Sequence, residues 1–228
     1  MSSTIQLQRT ITYASSFVRY APLTLSSDDP AFSNADWVRQ FILSAPFAWR
    51  WNRTVTQIQC VIGQSDYKIA LPTFGWIEKA VNVDPNNGYS STEIEVVTNI
   101  AQDNQPNLPQ KISAELDDDA GNITFRVFPS PDSAYIIYVT SQNAAPLFTS
   151  TTGTWAPIPD YLSYLFNQGF LAKTYEYMGD PRFQQTMSLF LQMLVSTSEG
   201  LSDTQRNIFL ADRINTNREQ LKLQQGKQ

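Results

Sequence analysis

The feature that most constrains this chain is a change of period along it. Between residues 53 and 148, short runs rich in Val, Ile, Thr and Tyr alternate with clusters of turn-forming residues; on either side, apolar residues recur at helical spacings of three and four. The runs predict strands over 54–62, 67–71, 76–83, 92–97, 111–115, 123–128 and 135–140. The breaks between them read GQSD, DPNNGYSS, DNQPNLP, DDDAGN and PSPDS, compositions that favour turns through side-chain bonding to the backbone and through Gly and Pro geometry. Short strands with no helical pattern between them predict an antiparallel sheet folded as a sandwich or barrel. The expected fold is therefore α+β, an antiparallel β-sandwich or barrel-like domain inserted between N-terminal and C-terminal helical segments. In residue terms, 1–52 and 157–214 form a helical domain, 53–148 the inserted β domain, 149–156 a linker and 215–228 a polar tail.

The flanks carry their own punctuation. A first helix is expected over 9–20, ended by Pro22, and a second starting at Pro30 or Asn34, with Trp37, Val38, Phe41 and Ile42 on one face and Pro46 beyond its end. After residue 157, Asp160 is placed to cap a helix carrying Tyr161, Leu162, Tyr164, Leu165, Phe166, Phe170, Leu171, Tyr175 and Met178. So little of that surface is polar that the helix must be covered on nearly every side. Gly179 ends it, and Asp180-Pro181 opens the next helix as N-cap and first-turn proline, with Phe183, Met187, Phe190, Leu191 and Leu194 as its apolar stripe. Gly200 closes that helix, and Ser202 with Gln205 forms a capping box for a third, carrying Ile208, Phe209, Ala211 and Ile214.

Composition narrows the chemistry. There is no histidine, which removes the usual general base and the commonest metal ligand. The single cysteine, Cys60, supports neither a disulfide framework nor a thiolate cluster and reads as a buried structural thiol. The 9 glycines contain no phosphate-cradling motif. A formal charge of −5 opposes tight binding to nucleic acid, which depends on releasing phosphate counterions over a basic face. No basic stretch followed by an apolar run opens the sequence, and no run is long enough for a membrane span. The expectation is a chain that is not an enzyme, with no catalytic residues, no metal site and no cofactor.

Several clusters still invite a function. Asp117-Asp118-Asp119 with Gly121 and Asn122 has the residue types of a calcium loop but lies between strands, without a correctly placed distal Glu, and reads as a hairpin turn. Glu78, Glu93, Glu95 and Glu115, with Trp49, Trp51, Trp76 and Trp155, contain the residue types of a glycan site, but they read as outward strand positions and packing aromatics. Trp49, Arg50, Trp51 and Arg53 sit where helical pattern gives way to β pattern; aromatics with arginine can stack on nucleic acid, but they are also the residue types that anchor packing within a chain or between subunits, and they read as such a packing contact. The C-terminal Arg213, Arg218, Leu221, Lys222 and Leu223 combine charge with apolar anchors and read either as a solvated tail or as a second candidate partner contact.

The order of these signatures carries a resemblance. A helix leads to APFAWRWNR; a β region containing GQSDYKIALPTFGWIEKAV follows, then FPSPDSAYIIYVTSQNAAP, then WAPIPDYLSYLFNQGFLAKTYEYMGDPRF. This layout resembles tailed-phage neck proteins of the head-to-tail adaptor type, including the group like tail tubular protein A of podophages. The resemblance implies a virion protein made in the host cytoplasm and seated at the neck, in a homo-oligomeric ring of roughly twelve subunits between portal and tail proteins. DNA would pass through its lumen without specific binding. A baseplate, fibre-base or minor capsid component is the nearest alternative, and a carbohydrate-binding β-sandwich module the more distant one.

Overall fold

The computed structural model describes residues 3–18, 30–100, 105–116, 121–208 and 211. The chain divides into two compact units, one formed by residues 1–51 with 145–228 and the other by 52–144.

The second unit is a seven-stranded, nearly closed, barrel-like sheet. Its strands are β1 (Arg53–Gln59), β2 (Asp66–Ala70), β3 (Phe74–Asp84), β4 (Ser90–Val96), β5 (Lys111–Leu116), β6 (Asn122–Phe128) and β7 (Ile136–Asn143). They are ordered β1-β7-β3-β4-β5-β6-β2. Every neighbouring pair is antiparallel except β4 and β5, which run parallel over Glu95↔Lys111 and Val96↔Ile112. The exception follows from chain length: the long 97–110 connection supplies the dozen or so residues that a parallel return needs and a hairpin does not. Alternate residues point inward, and Ile58, Ile77, Ala80, Ile94, Ile112, Ile123, Phe125, Val127, Ile137 and Val139 make the core. Cys60 is buried beside Tyr67, and burial pushes its thiol up to about 11, out of the range where a nucleophilic thiolate forms.

The first unit is helical, with α1 (Leu7–Ser15), α2 (Pro30–Leu43), α3 (Ser163–Tyr177) and α4 (Phe183–Thr197). α1 stops at Ser15, short of the expected end. The hydroxyls of Thr12, Ser15 and Ser16 donate back to the carbonyls of Gln8, Ile11 and Tyr13 and compete with helical bonding there. α3 is the central element, with Leu165, Phe166, Gly169, Phe170, Leu171, Ala172, Thr174 and Tyr175 buried; Tyr161, Tyr164 and Met178 are left exposed. Full burial of a side chain such as Phe166 or Phe170 stabilises by about 1.5–3 kcal/mol, so this helix anchors the unit.

The turn between α3 and α4 follows its sequence closely. Gly179 takes a left-handed φ of 64°, its amide donates to Glu176 O at 3.1 Å, and the Asp180 amide donates to Tyr175 O at 2.9 Å, the bonding pattern of a Schellman motif. Asp180 then accepts the Arg182 amide at 2.9 Å and also pairs with the Arg182 guanidinium, but α4 starts only at Phe183, with Arg182 rather than Asp180 at its N-cap and Pro181 in the turn before it. The Ser202–Gln205 capping box forms as expected, each residue's amide donating to the other's side chain at 3.0 and 3.2 Å.

Two further expectations at helix ends are corrected. Asp160 does not cap α3, which begins after a 3-10 turn over Asp160–Leu162. Its carboxylate instead accepts the Ser3 hydroxyl at 2.6 Å and the Thr4 hydroxyl and amide at 2.6 and 2.9 Å, with the Ile5 amide at 3.3 Å. The segment then continues along 151–155, where Trp155 N–H donates to Ile5 O, Leu7 N–H to Gly153 O and Gln8 N–H to Thr151 O. Gly200 does not end α4, which closes at Thr197. A side chain at Gly200 would place its Cβ 2.5 Å from Ala48 Cβ, so this glycine serves close packing.

Each feature has a testable consequence. Hydrogen bonds from Ser3 and then Thr4 pull the Asp160 carboxyl down to about 2. A depressed folded-state value means the clamp is complete above the ordinary aspartate value near 4 and fades as pH falls through about 2. Titration by NMR should show Asp160 with a midpoint near 2, and the Thr4 amide shift moving with it; a midpoint near 4 contradicts the clamp. In α3, a Cβ at Gly169 would lie 2.8 Å from both Phe190 Cε2 and Val38 Cγ1. Gly169→Ala should therefore destabilise by about 1–3 kcal/mol in chemical denaturation despite alanine's better helix propensity, because the overpacked crossing outweighs it.

Candidate functional site

The residues singled out around position 50 are not one cluster. Trp49 is 2% exposed in the helical core, where its Nε1–H donates to Ile42 O at 2.8 Å and its ring lies 5.4 Å from that of Trp51. Trp51 is half-buried against the same core. Arg50 points outward: its side chain is 78% exposed and its Nε lies 3.1 Å from Glu199. An exposed pair of this kind contributes about 0–1 kcal/mol.

Arg53 belongs to the β unit. Its guanidinium engages both oxygens of Glu78, with Nε to Oε2 at 2.7 Å, and Gln142 Nε2 donates to the same Oε2 at 2.7 Å. Burial opposes ionisation of Glu78, but the bonds from Arg53 and Gln142 outweigh it and hold the carboxyl below its ordinary range. Beside this pair, Asn52 Nδ2 donates to Asn143 O at 2.8 Å and Asn143 Nδ2 to Asn52 O at 2.9 Å. These reciprocal bonds tie the first and last strands together where the insertion starts and ends. Arg213, Arg218, Leu221, Lys222 and Leu223 lie outside the described residues, as do Asp117, Asp118 and Asp119.

The residue types of a glycan site are dispersed. Trp49 and Trp155 are buried in the helical core, and Glu78 is tied to Arg53. Glu95 pairs with Lys111 at 3.6 Å and Glu115 with Arg126 at 3.2 Å, while Arg126 also holds Asp66 at 2.8 Å. These are separate surface pairs between neighbouring strands. Among the described residues, no group of three or more His, Cys, Asp and Glu is placed to hold a metal ion, and no helix is long and apolar enough to cross a membrane.

The polar centre that sequence reading missed is Arg39. It is 4% exposed in the middle of α2, on the face that also carries Ala35 and Ile42. Its guanidinium donates to Asp36 Oδ1 at 3.4 Å, to Thr154 O at 3.3 Å, to Ala156 O at 3.5 Å and to Pro146 O, and it lies 3.7 Å over the Phe148 ring. Asp36 also accepts the Phe148 amide at 2.8 Å. Burial lowers the Arg39 pKa from its ordinary value, with Asp36 opposing the shift. One charged pair thus organises the segment 146–156 where it re-enters the helical unit. The available signal was a charged residue on an otherwise apolar helical face with an acid three residues before it.

No curated protein matches the chain. The SU10 adaptor protein family matches residues 11–216, across both units and nearly the whole length, and the chain therefore belongs to that family of phage structural adaptors.

Proposed function

We propose that this adaptor is one subunit of a head-to-tail connector ring, seated between portal and tail proteins and lining the channel through which DNA leaves the head. The observation that carries the reading is the family match over residues 11–216. Two physical features support it. The chain joins a helical unit to an inserted β unit, and two units give one subunit separate surfaces for unlike neighbours, as a ring between different partners requires. Its net charge of −5 suits a conduit that must not retain its cargo. In this reading the chain performs no chemistry of its own, and its partners are portal, tail and neck proteins together with other copies of itself, in a ring of roughly twelve.

Antibody-gold labelling of purified virions, viewed by electron microscopy, tests the position. Label at the head–tail vertex is the expected result. Label at the distal tail would move the chain to a baseplate or fibre base and contradict the neck assignment.

A further inference from the structure

Asn87 and Gly88 form the chain's only Asn-Gly pair, and they lie in the turn between β3 and β4. An asparagine followed by glycine is open to attack on its side chain by the next main-chain nitrogen, because glycine has no Cβ to obstruct the approach. A fold can permit that reaction or prevent it. It is prevented where the next N–H is tied to an acceptor, where the side-chain amide is held, or where the site is buried.

No such restraint acts on Asn87. Residues 86–90 are exposed. Among the described residues, neither the Asn87 side-chain amide nor the Gly88 N–H has a hydrogen-bond partner. The turn is closed by Ser90 N–H donating to Asn87 O at 3.1 Å and by Asn87 N–H donating to Asp84 O at 3.3 Å. Neither bond uses Asn87 Cγ or Gly88 N, the two atoms that must meet. Gly88 takes a left-handed φ of 60°, and a Cβ built on it would meet nothing within 4 Å, so its amide is uncrowded.

Three other asparagines with small or polar successors show the contrast. Asn143 Nδ2 donates to Asn52 O at 2.9 Å, and the next N–H, of Ala144, donates to Thr73 O at 2.7 Å. Asn86 Nδ2 donates to Ser133 Oγ at 3.4 Å, and the next N–H is the one held by Asp84. Asn34 is 7% exposed inside α2, where the Ala35 N–H belongs to the helical ladder.

We propose that Asn87 is a site of spontaneous deamidation in the folded chain. Gly88 N attacks Asn87 Cγ, its proton passes to water, and the Cγ–Nδ2 bond breaks with release of ammonia. The succinimide so formed then takes up one water. Addition at Cγ gives aspartate; addition at the main-chain carbonyl carbon gives isoaspartate, with the chain running through Cβ. Either product places a new carboxylate in the turn that already carries Asp84, and isoaspartate also lengthens the turn by one backbone atom. The reaction needs only water, so it is independent of where in a particle the chain sits.

Peptide mapping by mass spectrometry of the full-length chain, held at neutral to mildly alkaline pH, tests this against a synthetic peptide of residues 82–93. Conversion at Asn87 in the folded chain should run within about tenfold of the peptide's rate, because an exposed turn needs no prior opening. Electron-transfer fragmentation should identify both aspartate and isoaspartate at position 87, with Asn34, Asn86 and Asn143 intact over the same period. Asn87→Ser should keep the circular dichroism spectrum and abolish the signal. An intact Asn87 in the folded chain after the peptide has converted overturns the proposal. Conversion of Asn143 or Asn34 as fast as Asn87 overturns it as well, since the fold would then not be what selects the site.

Discussion

Replacing Arg39 with alanine is expected to destabilise the helical unit by about 3–5 kcal/mol, a large part of the 5–15 kcal/mol that holds a typical domain folded. The effect comes from what is left behind. Arg39 is 4% exposed, and its removal strands Asp36 and the carbonyls of Pro146, Thr154 and Ala156 without their donor. It also leaves a void over Phe148. A double-mutant cycle with Asp36→Ala separates the two contributions. If the charge pair dominates, the double variant should be more stable than the sum of the single losses predicts, because neither partner is left buried alone. Denaturant unfolding followed by helical circular dichroism gives all three values. A loss under 1 kcal/mol for Arg39→Ala would mean that the guanidinium is hydrated rather than enclosed.

Trp155→Ala should cost a similar amount, about 3–5 kcal/mol. The indole is completely buried, stacked on Phe166 with centroids 4.4 Å apart and planes 6° from parallel, and it meets the edge of Phe148. Its Nε1–H donates to the buried Thr10 hydroxyl at 2.9 Å, joining α1 to the returning segment. Trp155→Phe keeps most of the packing but loses that bond, so it should cost about 1–3 kcal/mol from the unpaired Thr10 hydroxyl and the smaller ring. Adding Thr10→Val should recover part of that loss by removing the stranded group. Equal losses for the Phe and Ala variants would show that the hydrogen bond, and not the stacked ring, dominates at this position.

What could be read from the sequence was local. All seven strands lie within a few residues of where the runs rich in Val, Ile, Thr and Tyr and the turn clusters placed them, because both signals are local. The Gly179-Asp180 turn and the Ser202–Gln205 capping box were legible for the same reason: each depends on neighbours in the chain. What escaped reading depends on distant partners. Arg39 finds its carbonyl acceptors more than a hundred residues away, and Asp160 is claimed by Ser3, Thr4 and Ile5. No local pattern distinguishes a carboxylate that caps the following helix from one that is taken by the N-terminus. Gly200 misled for a related reason, since a glycine needed for contact with Ala48 looks in sequence like one that ends a helix. The candidate site at Trp49–Arg53 was legible as a boundary between patterns. That its tryptophans pack into the helical core while Arg53 lies exposed on the β unit, paired with Glu78, required the fold.

The most direct measurement of the central claim is a cryo-electron-microscopy reconstruction of the virion neck, computed without imposed symmetry. The account predicts a cyclic layer between portal and tail into which the helical and β units of this chain fit as rigid bodies, repeated around a continuous channel. A neck whose layers are all accounted for by other proteins, with this chain located elsewhere in the particle, would contradict it.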